Sequence, residues 1–572
     1  MTKVRPAGRL ARGAVLAAAA GACFAALAGA LTLAAALAIA QRDQGGRLFN
    51  SDHIQAFLLA RDLLADPASL FAWYLPPALF AVPDWVIAVI LVASPLPQLW
   101  LPVFYGGVAL AALAFAAGAV MTVCGLSRPA AAIGAAASLL AVLMLAIAQA
   151  PAPGGIAALL LNVAFPGIHG GTLLLGLALI AAVLRLLHRE PGPRAGAMPA
   201  ILLCALSAAG AFSDLFFMLW FAGPAVIAAA LLAPAGPPEQ AVAAHRVIRL
   251  VAISSAAGIA LQVALFGLPL GYFLGTMRPP GADFQVQDLI VLALHSSLLA
   301  LGEQIHVCAL PVAASLFDCT APLHAVDHVA ALMRATFAAA DWLGIAVLAA
   351  AMLSGARAAW LCLRALGGQR LEPSQSAEIL FAGAAWASLT AAVTLNIIHD
   401  TGALRYLLPF LAMPILALLI PMLRLGQRLA RTPVLTGMAL LWAMAAMQLA
   451  PAALASFRQL AAADPLAACL LQAGHRTGLG DYWSAKAVMF QTGYRVHVVQ
   501  LTVNGRFHRW IFNRAWFTRH AGDGGPLAPD FIIMRGLDAA AIRDRFGAPS
   551  RKEECGGAVI WFYDPAMAMP EG

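Results

Sequence analysis

Residues 14–40, AVLAAAAGACFAALAGALTLAAALAIA, carry no charge and follow on Lys3, Arg5, Arg9 and Arg12. As a helix, such a run is longer than the ~30 Å hydrocarbon core of a bilayer requires. The apolar core of a cleavable signal peptide is much shorter. The stretch therefore reads as an uncleaved signal anchor whose basic start stays in the cytoplasm. Ten further apolar runs lie near 101–122, 131–149, 170–187, 198–212, 215–233, 250–272, 342–363, 379–398, 404–423 and 433–455. The expected fold class is a polytopic α-helical membrane protein with about eleven transmembrane helices. Two weaker stretches, 85–93 and 286–302, are too short or too interrupted to cross and are expected to lie in the interface or re-enter.

Composition agrees. Of 572 residues, 62% are apolar and 11% charged, against ~25% charged in soluble globular proteins. A transmembrane barrel would give a far weaker signal per segment, which leaves helices. The formal charge of +8 is not read as a nucleic-acid signature, because in a polytopic protein the placement of charge matters more than its sum. Sixteen of the 35 basic residues fall on the expected inner segments and six on the outer loops. By the positive-inside rule this puts the N-terminus in the cytoplasm and the C-terminus in the periplasm of a bacterial inner membrane. Most acids, among them Asp52, Asp84, Asp214 and Asp400, lie outside or at outer span ends, which points to chemistry on that face.

The chain divides into a helical domain over 1–456, with long outer loops at 41–100 and 273–341, and a domain over 457–572. The latter turns charged and aromatic. It has an alternating run YRVHVVQLTV (494–503), an Asn504-Gly505 turn, a strand DFIIM (530–534), a helix around 538–546 and a strand AVIWFYD (558–564), which together read as a small periplasmic α/β domain. Cys469 and Cys555 share that domain, and Cys308 and Cys319 share one outer loop. In an oxidising compartment each pair could be a disulfide. No CxxC or HExxH spacing occurs, so a structural zinc site is not expected.

The most informative loop follows the first span, NSDHIQAFLLARDLLADPASLFAWYLPPALFAVPDW (50–85). A carboxylate at Asp52, just beyond the membrane, could take a proton from a hydroxyl as general base or hold a divalent cation. It could also only start a helix, since Asp52 with Gln55 three residues on fits a capping pattern. Asp84, in VPDW, has the same two readings.

SDHIQ (51–55), PP (76–77) with PDW (83–85), PGIHGG (166–171), RYLLP (405–409) and GLGDYWSAK (478–486) resemble the motifs of a proteobacterial group of membrane proteins. The wider pattern resembles the bacterial polytopic type C glycosyltransferases, the GT-C fold. It consists of a first span, a long outer loop with an early acid, many further spans and an outer C-terminal domain. The resemblance implies transfer of a sugar from a polyprenyl-phosphate donor to a glycan, lipid or protein acceptor of the cell envelope, with Asp52 as base. Where many of that class carry two acids, this chain has Asp52-His53.

Other outer-facing residues are weighed against this implication. His169, among the glycines of PGIHGG, could contact donor phosphate or sugar, or could be a cap or ordinary interface residue. Asp214, after Ser213, is a membrane-depth acid or the cap of the next helix. His399, Asp400, Arg405 and Tyr406 form the densest polar cluster between adjacent spans. There Arg405 could bind a lipid phosphate or pair with Asp400. Asp481, Tyr482 and Trp483 follow Gly478 and Gly480 and are expected at a helix start; Tyr482, Trp483, Trp510, Trp516 and Trp561 could stack on sugar rings, although most of them are expected in the core of the domain. Two other classes stay open: a transporter or flippase of lipid-linked saccharides, and a non-catalytic envelope-assembly scaffold. A transporter would show polar groups midway along its spans, whereas here they collect at one face.

Overall fold

The computed structural model describes residues 49–135, 161–188, 197–266, 342–394, 403–429 and 464–567, apart from positions 77, 129, 133 and 235. The runs 14–40 and 433–455, most of 131–149, the segment 273–341 with Cys308 and Cys319, and His399 and Asp400 lie outside those residues. Contacts divide the chain into two compact units. One holds the described residues 49–108, 164–168 and 464–567, and the other holds the rest.

The helical unit is built from α4 (Gly170–His188), α5 (Ala197–Ser213), α6 (Gly223–Leu232), α7 (Pro238–Phe266), α8 (Trp342–Leu366), α9 (Pro373–Thr394) and α10 (Leu408–Leu429). The last part of α3 (Leu101–Val123) also belongs to it. Ala and Leu dominate these segments, and both favour helix strongly. Among the described residues, three helices are long and apolar enough to cross a membrane: Gln98–Val123, Gly170–His188 and Pro238–Phe266. Shorter apolar helices cover Ala197–Ser213, Met218–Leu232 and Arg405–Pro421. Large apolar side chains such as Phe115, Ile201, Ile253, Leu353 and Leu363 are exposed. Such faces fit lipid rather than water. Some expected boundaries shift: α7 starts ahead of its apolar run through a polar lead-in, and α9 starts at Pro373, where the missing N–H costs nothing.

Polar contacts collect at the ends of this bundle. At the C-terminal end of α4, His188 Nε2 lies 2.9 Å from Ser376 Oγ in the first turn of α9. Nearby in sequence, Arg357 of α8 pairs with Glu378, and Arg424 of α10 bonds Glu372 at 2.8 Å. The expected inner acids Glu372 and Glu378 are thus each matched to an expected inner arginine. The other end of α4 carries a separate polar cluster around His169.

The second unit joins the first outer loop to the C-terminal domain. Its helices are α1 (Ser51–Ala65), α2 (Val86–Ala93), α11 (Pro465–Gln472), α12 (Tyr482–Gln491) and α13 (Ala539–Phe546). At eight residues, α2 is too short to cross a bilayer. Strand β1 (Trp73–Tyr74) of the loop pairs antiparallel with β4 (Phe512–Asn513) of the domain. The five-stranded sheet runs β3-β2-β5-β7-β6, from β2 (Thr477–Asp481), β3 (His497–Leu501), β5 (Phe531–Ile533), β6 (Arg551–Cys555) and β7 (Ala558–Phe562). β3, β2 and β5 are parallel, and β7 and β6 are antiparallel additions. The expected strands near 494–503, 530–534 and 558–564 and the helix near 538–546 are present. Cys469 and Cys555 form a disulfide, with Cα atoms 5.9 Å apart. Trp516 and Trp561 are buried, as expected of core aromatics, whereas Trp483 is 52% exposed.

The loop is fastened to the domain by α1. Asp62 accepts from Trp73 Nε1 at 3.0 Å and Asn513 Nδ2 at 2.6 Å. Arg61 lies 3.4 Å over the ring of Tyr494. Burial pushes the Asp62 carboxyl above its ordinary range, against the pull of its donors and Arg61.

Candidate functional site

The first turn of α1 answers the question left open at Asp52. The cap is Asn50, whose Oδ1 accepts the Asp52 N–H at 2.8 Å. Asp52 therefore sits one step inside the helix, and its carboxylate is not the capping group. That carboxylate meets the C-terminal domain: the Tyr482 hydroxyl donates to Asp52 Oδ1 at 2.6 Å. The Ser51 hydroxyl donates to the Tyr482 carbonyl at 2.7 Å and is 3.1 Å from that of Trp483. Two helix starts, those of α1 and α12, are thus locked together, and a helix N-terminus favours negative charge nearby.

Tyr482 is placed by the sequence before it. Asp481 ends β2 and caps α12, accepting the Trp483 N–H at 3.0 Å and the Ser484 N–H at 3.3 Å. One turn on, Lys486 is fully buried, its Nζ 3.9 Å from the Tyr482 ring centroid. That amine finds no hydrogen-bond partner among the described residues. Burial holds it far below the ordinary lysine range, although the Asp52 charge pulls the other way. His508 meets the Tyr482 ring edge-on at 5.5 Å, and burial together with Lys486 lowers its pKa. Neither Lys486 nor His508 stands out in the sequence. A lysine on a short helix reads as a solvated face, although it closes the GLGDYWSAK motif.

The position of this constellation in the sheet is informative. β2 is flanked by β3 on one side and β5 on the other, with all three parallel. From β2 the chain passes to β3 on one side, and from β5 it passes to β6 and β7 on the other, and open α/β sheets bind ligands at the carboxyl ends of strands at such a point. Asp481 and Tyr482 are the carboxyl end of β2.

Asp84 takes a different part from the one weighed for it. It is fully buried, accepting from the Tyr105 hydroxyl at 2.7 Å and the Gly167 N–H at 2.8 Å. It therefore anchors the PGIHGG loop. Gly167 has φ +76°, and a Cβ there would lie 2.7 Å from the Asp52 carbonyl oxygen. Only glycine lets that loop approach the first turn of α1 so closely. His53, at the position of the second acid, stacks on Phe165 with centroids 4.5 Å apart. Among the described residues, the Asp52 carboxylate accepts from the Tyr482 phenol, and its charge acts on the Lys486 amine. Among the described residues no group of three or more His, Cys, Asp or Glu side chains converges as a metal site would need.

In the helical unit, His169 precedes α4 at φ +61° and is buried. Its Nδ1 lies 2.6 Å from Asp214 Oδ2, which also accepts from the Thr172 hydroxyl at 2.5 Å. Asp214 Oδ1 accepts the Phe216 N–H at 3.0 Å, so Asp214 does cap the following helical turn. The Tyr406 ring is 5.1 Å from His169 and 5.0 Å from Phe216, and Arg405 lies 5.4 Å from the Tyr406 centroid. His169 and the Arg405–Tyr406 pair share one neighbourhood, in which Asp214 is the member the histidine engages. The chain matches no protein-family model, no characterised protein and no solved structure.

Proposed function

We propose that the protein is a membrane glycosyltransferase of the polytopic type C class. In this reading it crosses the bacterial inner membrane about eleven times, with its N-terminus cytoplasmic and its C-terminal domain periplasmic. It moves a sugar from a polyprenyl-phosphate donor to a hydroxyl of an envelope acceptor. Asp52 takes the acceptor proton while the hydroxyl oxygen bonds the sugar C1. The C1–O bond breaks, and its electron pair leaves with the polyprenyl phosphate. Tyr482 holds one Asp52 oxygen, fixing the carboxylate's orientation. His169, Arg405 and Tyr406 are the candidate donor-side residues, with His399 beside them in sequence.

The observation that carries this reading is that Asn50 caps α1 while the Asp52 carboxylate is engaged by Tyr482 at the carboxyl edge of a parallel sheet. A carboxylate used only to start a helix would have no such partner. The transporter reading draws less support. The buried His169–Asp214 pair lies at helix ends rather than midway along a span.

The test is Asp52→Asn, read as sugar transfer from a polyprenyl-phosphate donor by purified protein in lipid. Because Asn50 supplies the cap, the variant should express and fold as wild type while transfer falls by two to four orders of magnitude, as roughly expected for a lost general base. Wild-type turnover by Asp52→Asn would remove the catalytic assignment.

A further inference from the structure

On the far side of α12 from Lys486 lies a cavity of about 250 Å³. Its wall is mixed: Phe49, Leu466 and Val488 give it an apolar share, and Trp483 and Gln491 of α12, Asn50 ahead of α1, Asp464 ahead of α11 and Arg535 after β5 give it an aromatic plate and polar groups. Three of these side chains are already oriented by backbone bonds. Asn50 Oδ1 accepts the Asp52 N–H at 2.8 Å, Gln491 Oε1 accepts the Asp464 N–H at 2.9 Å, and Asp464 Oδ1 accepts the Leu466 N–H at 2.7 Å. An amide whose oxygen is used in this way presents its NH2 group elsewhere, as a donor. The remaining lining group with unusual exposure is Trp483, a large aromatic 52% open in a domain that buries Trp516 and Trp561.

This mixture has a chemical meaning. A sugar ring offers an apolar C–H face and a rim of hydroxyls, each both donor and acceptor. It is held by an aromatic plate and by planar polar side chains that donate and accept at fixed angles. Trp483 supplies the plate, Asn50, Gln491 and Arg535 supply donors, and Asp464 supplies an acceptor. One guanidinium and one carboxylate leave the wall without a strong charge bias, which suits a neutral sugar better than an acidic one.

The cavity is also tied to Asp52. The Trp483 and Tyr482 rings meet edge-on with centroids 4.9 Å apart, and the Tyr482 hydroxyl is the group that bonds Asp52. Asn50 is bonded to the Asp52 backbone itself. We propose that this cavity is a saccharide subsite, in which a neutral sugar unit of the acceptor stacks on Trp483, and that Asn50 and the Tyr482 ring connect it to the first turn of α1, which carries Asp52. This rests on the glycosyl-transfer reading and narrows it to a glycan or glycolipid acceptor.

The experiment measures binding and transfer separately on the full-length protein in lipid nanodiscs. The probes are methyl glycosides of a hexose, an N-acetylhexosamine and a hexuronic acid, each at about 10 mM, a concentration that registers weak sites. The readout is hydrogen exchange of peptides covering 482–491 and 535. A neutral glycoside should protect these peptides in wild type and in Asp52→Asn, and Trp483→Ala should weaken that protection roughly tenfold, the scale of one lost stacking contact. Trp483→Phe should retain part of it, which separates stacking from misfolding. Protection by the uronic acid alone would overturn the neutral-sugar assignment. Absence of protection by any glycoside, in a preparation that transfers sugar, would overturn the subsite and leave the transfer reading standing. Trp483-dependent protection in a preparation that transfers nothing would keep the subsite and sink the transfer reading.

Discussion

At the scale of single residues, Lys486 is the side chain whose state the structure makes testable. Its amine is buried without a hydrogen-bond partner among the described residues, and burial lowers its pKa. Between that lowered value and the unfolded value near ~10.4, the unfolded chain binds a proton that the folded chain does not. Stability therefore falls as the pH is lowered through that window and is fullest above it. Lys486→Met, of similar length and apolar, should raise the unfolding temperature near neutral pH, with the gain shrinking as pH approaches ~10. A variant less stable than wild type at pH 7 would mean that the amine is charged and paired. The neighbouring Asp52 was legible in the sequence as a candidate because loop position and motif both marked it. Its partners were not. Tyr482 lies 430 residues away along the chain, and no local pattern encodes a contact at that separation. The capping alternative at Asp52 was decided by Asn50, whose side chain serves as well as an aspartate and stands two residues earlier.

At the scale of elements, apolar patterning marked helices within the described residues such as Gly170–His188 and Pro238–Phe266, and the alternating strand at His497–Leu501, since both signals are local. It missed β2, TGLGD, which lies at the centre of the parallel sheet. Two glycines in five residues read as a loop. Here the space a Cβ of Gly478 would fill is taken by the Phe531 ring, with atoms 2.3 Å from that point. It also missed β6, RKEEC, an edge strand whose first four residues are exposed and which therefore shows no alternation. Strand β3, at the other edge of the sheet, holds a second titration test. His497 is buried, its Nδ1 accepting the Ala521 N–H at 3.0 Å, so Nε2 carries the proton and donates to the Trp516 carbonyl at 2.8 Å. Burial lowers its pKa to about 3. As pH falls from ~6.5 toward that value, the unfolded chain takes up a proton that the folded domain refuses, and stability is lost on the order of 4–5 kcal/mol over the whole window. Thermal unfolding of the wild-type protein should therefore drop steeply between pH 6 and pH 4, and His497→Phe should flatten that slope. Equal slopes would assign the acid sensitivity to other groups.

At the scale of the whole molecule, two measurements bear on the map. Reporters fused after Arg194 and Arg370 should read cytoplasmic, and one after Gly572 periplasmic. A cytoplasmic C-terminus would invert every assignment of face. The Cys469–Cys555 disulfide ties α11 to β6 across 86 residues. Its removal by paired Cys→Ser changes should cost ~2–4 kcal/mol, read by chemical denaturation with wild type under reducing conditions as the control. No difference between oxidised and reduced wild type would mean that the link contributes nothing. The second unit also sets a schedule for biogenesis. α1 leaves the ribosome early, yet the strand, tyrosine and lysine that receive it lie about 400 residues later. At ~5–20 residues per second, α1 waits roughly 20–80 s for its partner. During that interval Phe57, buried in the finished protein, has Tyr105 but not yet Phe490 beside it. Synthesis of the segment that follows residue 464 is therefore the step that gives α1 its partner at Tyr482.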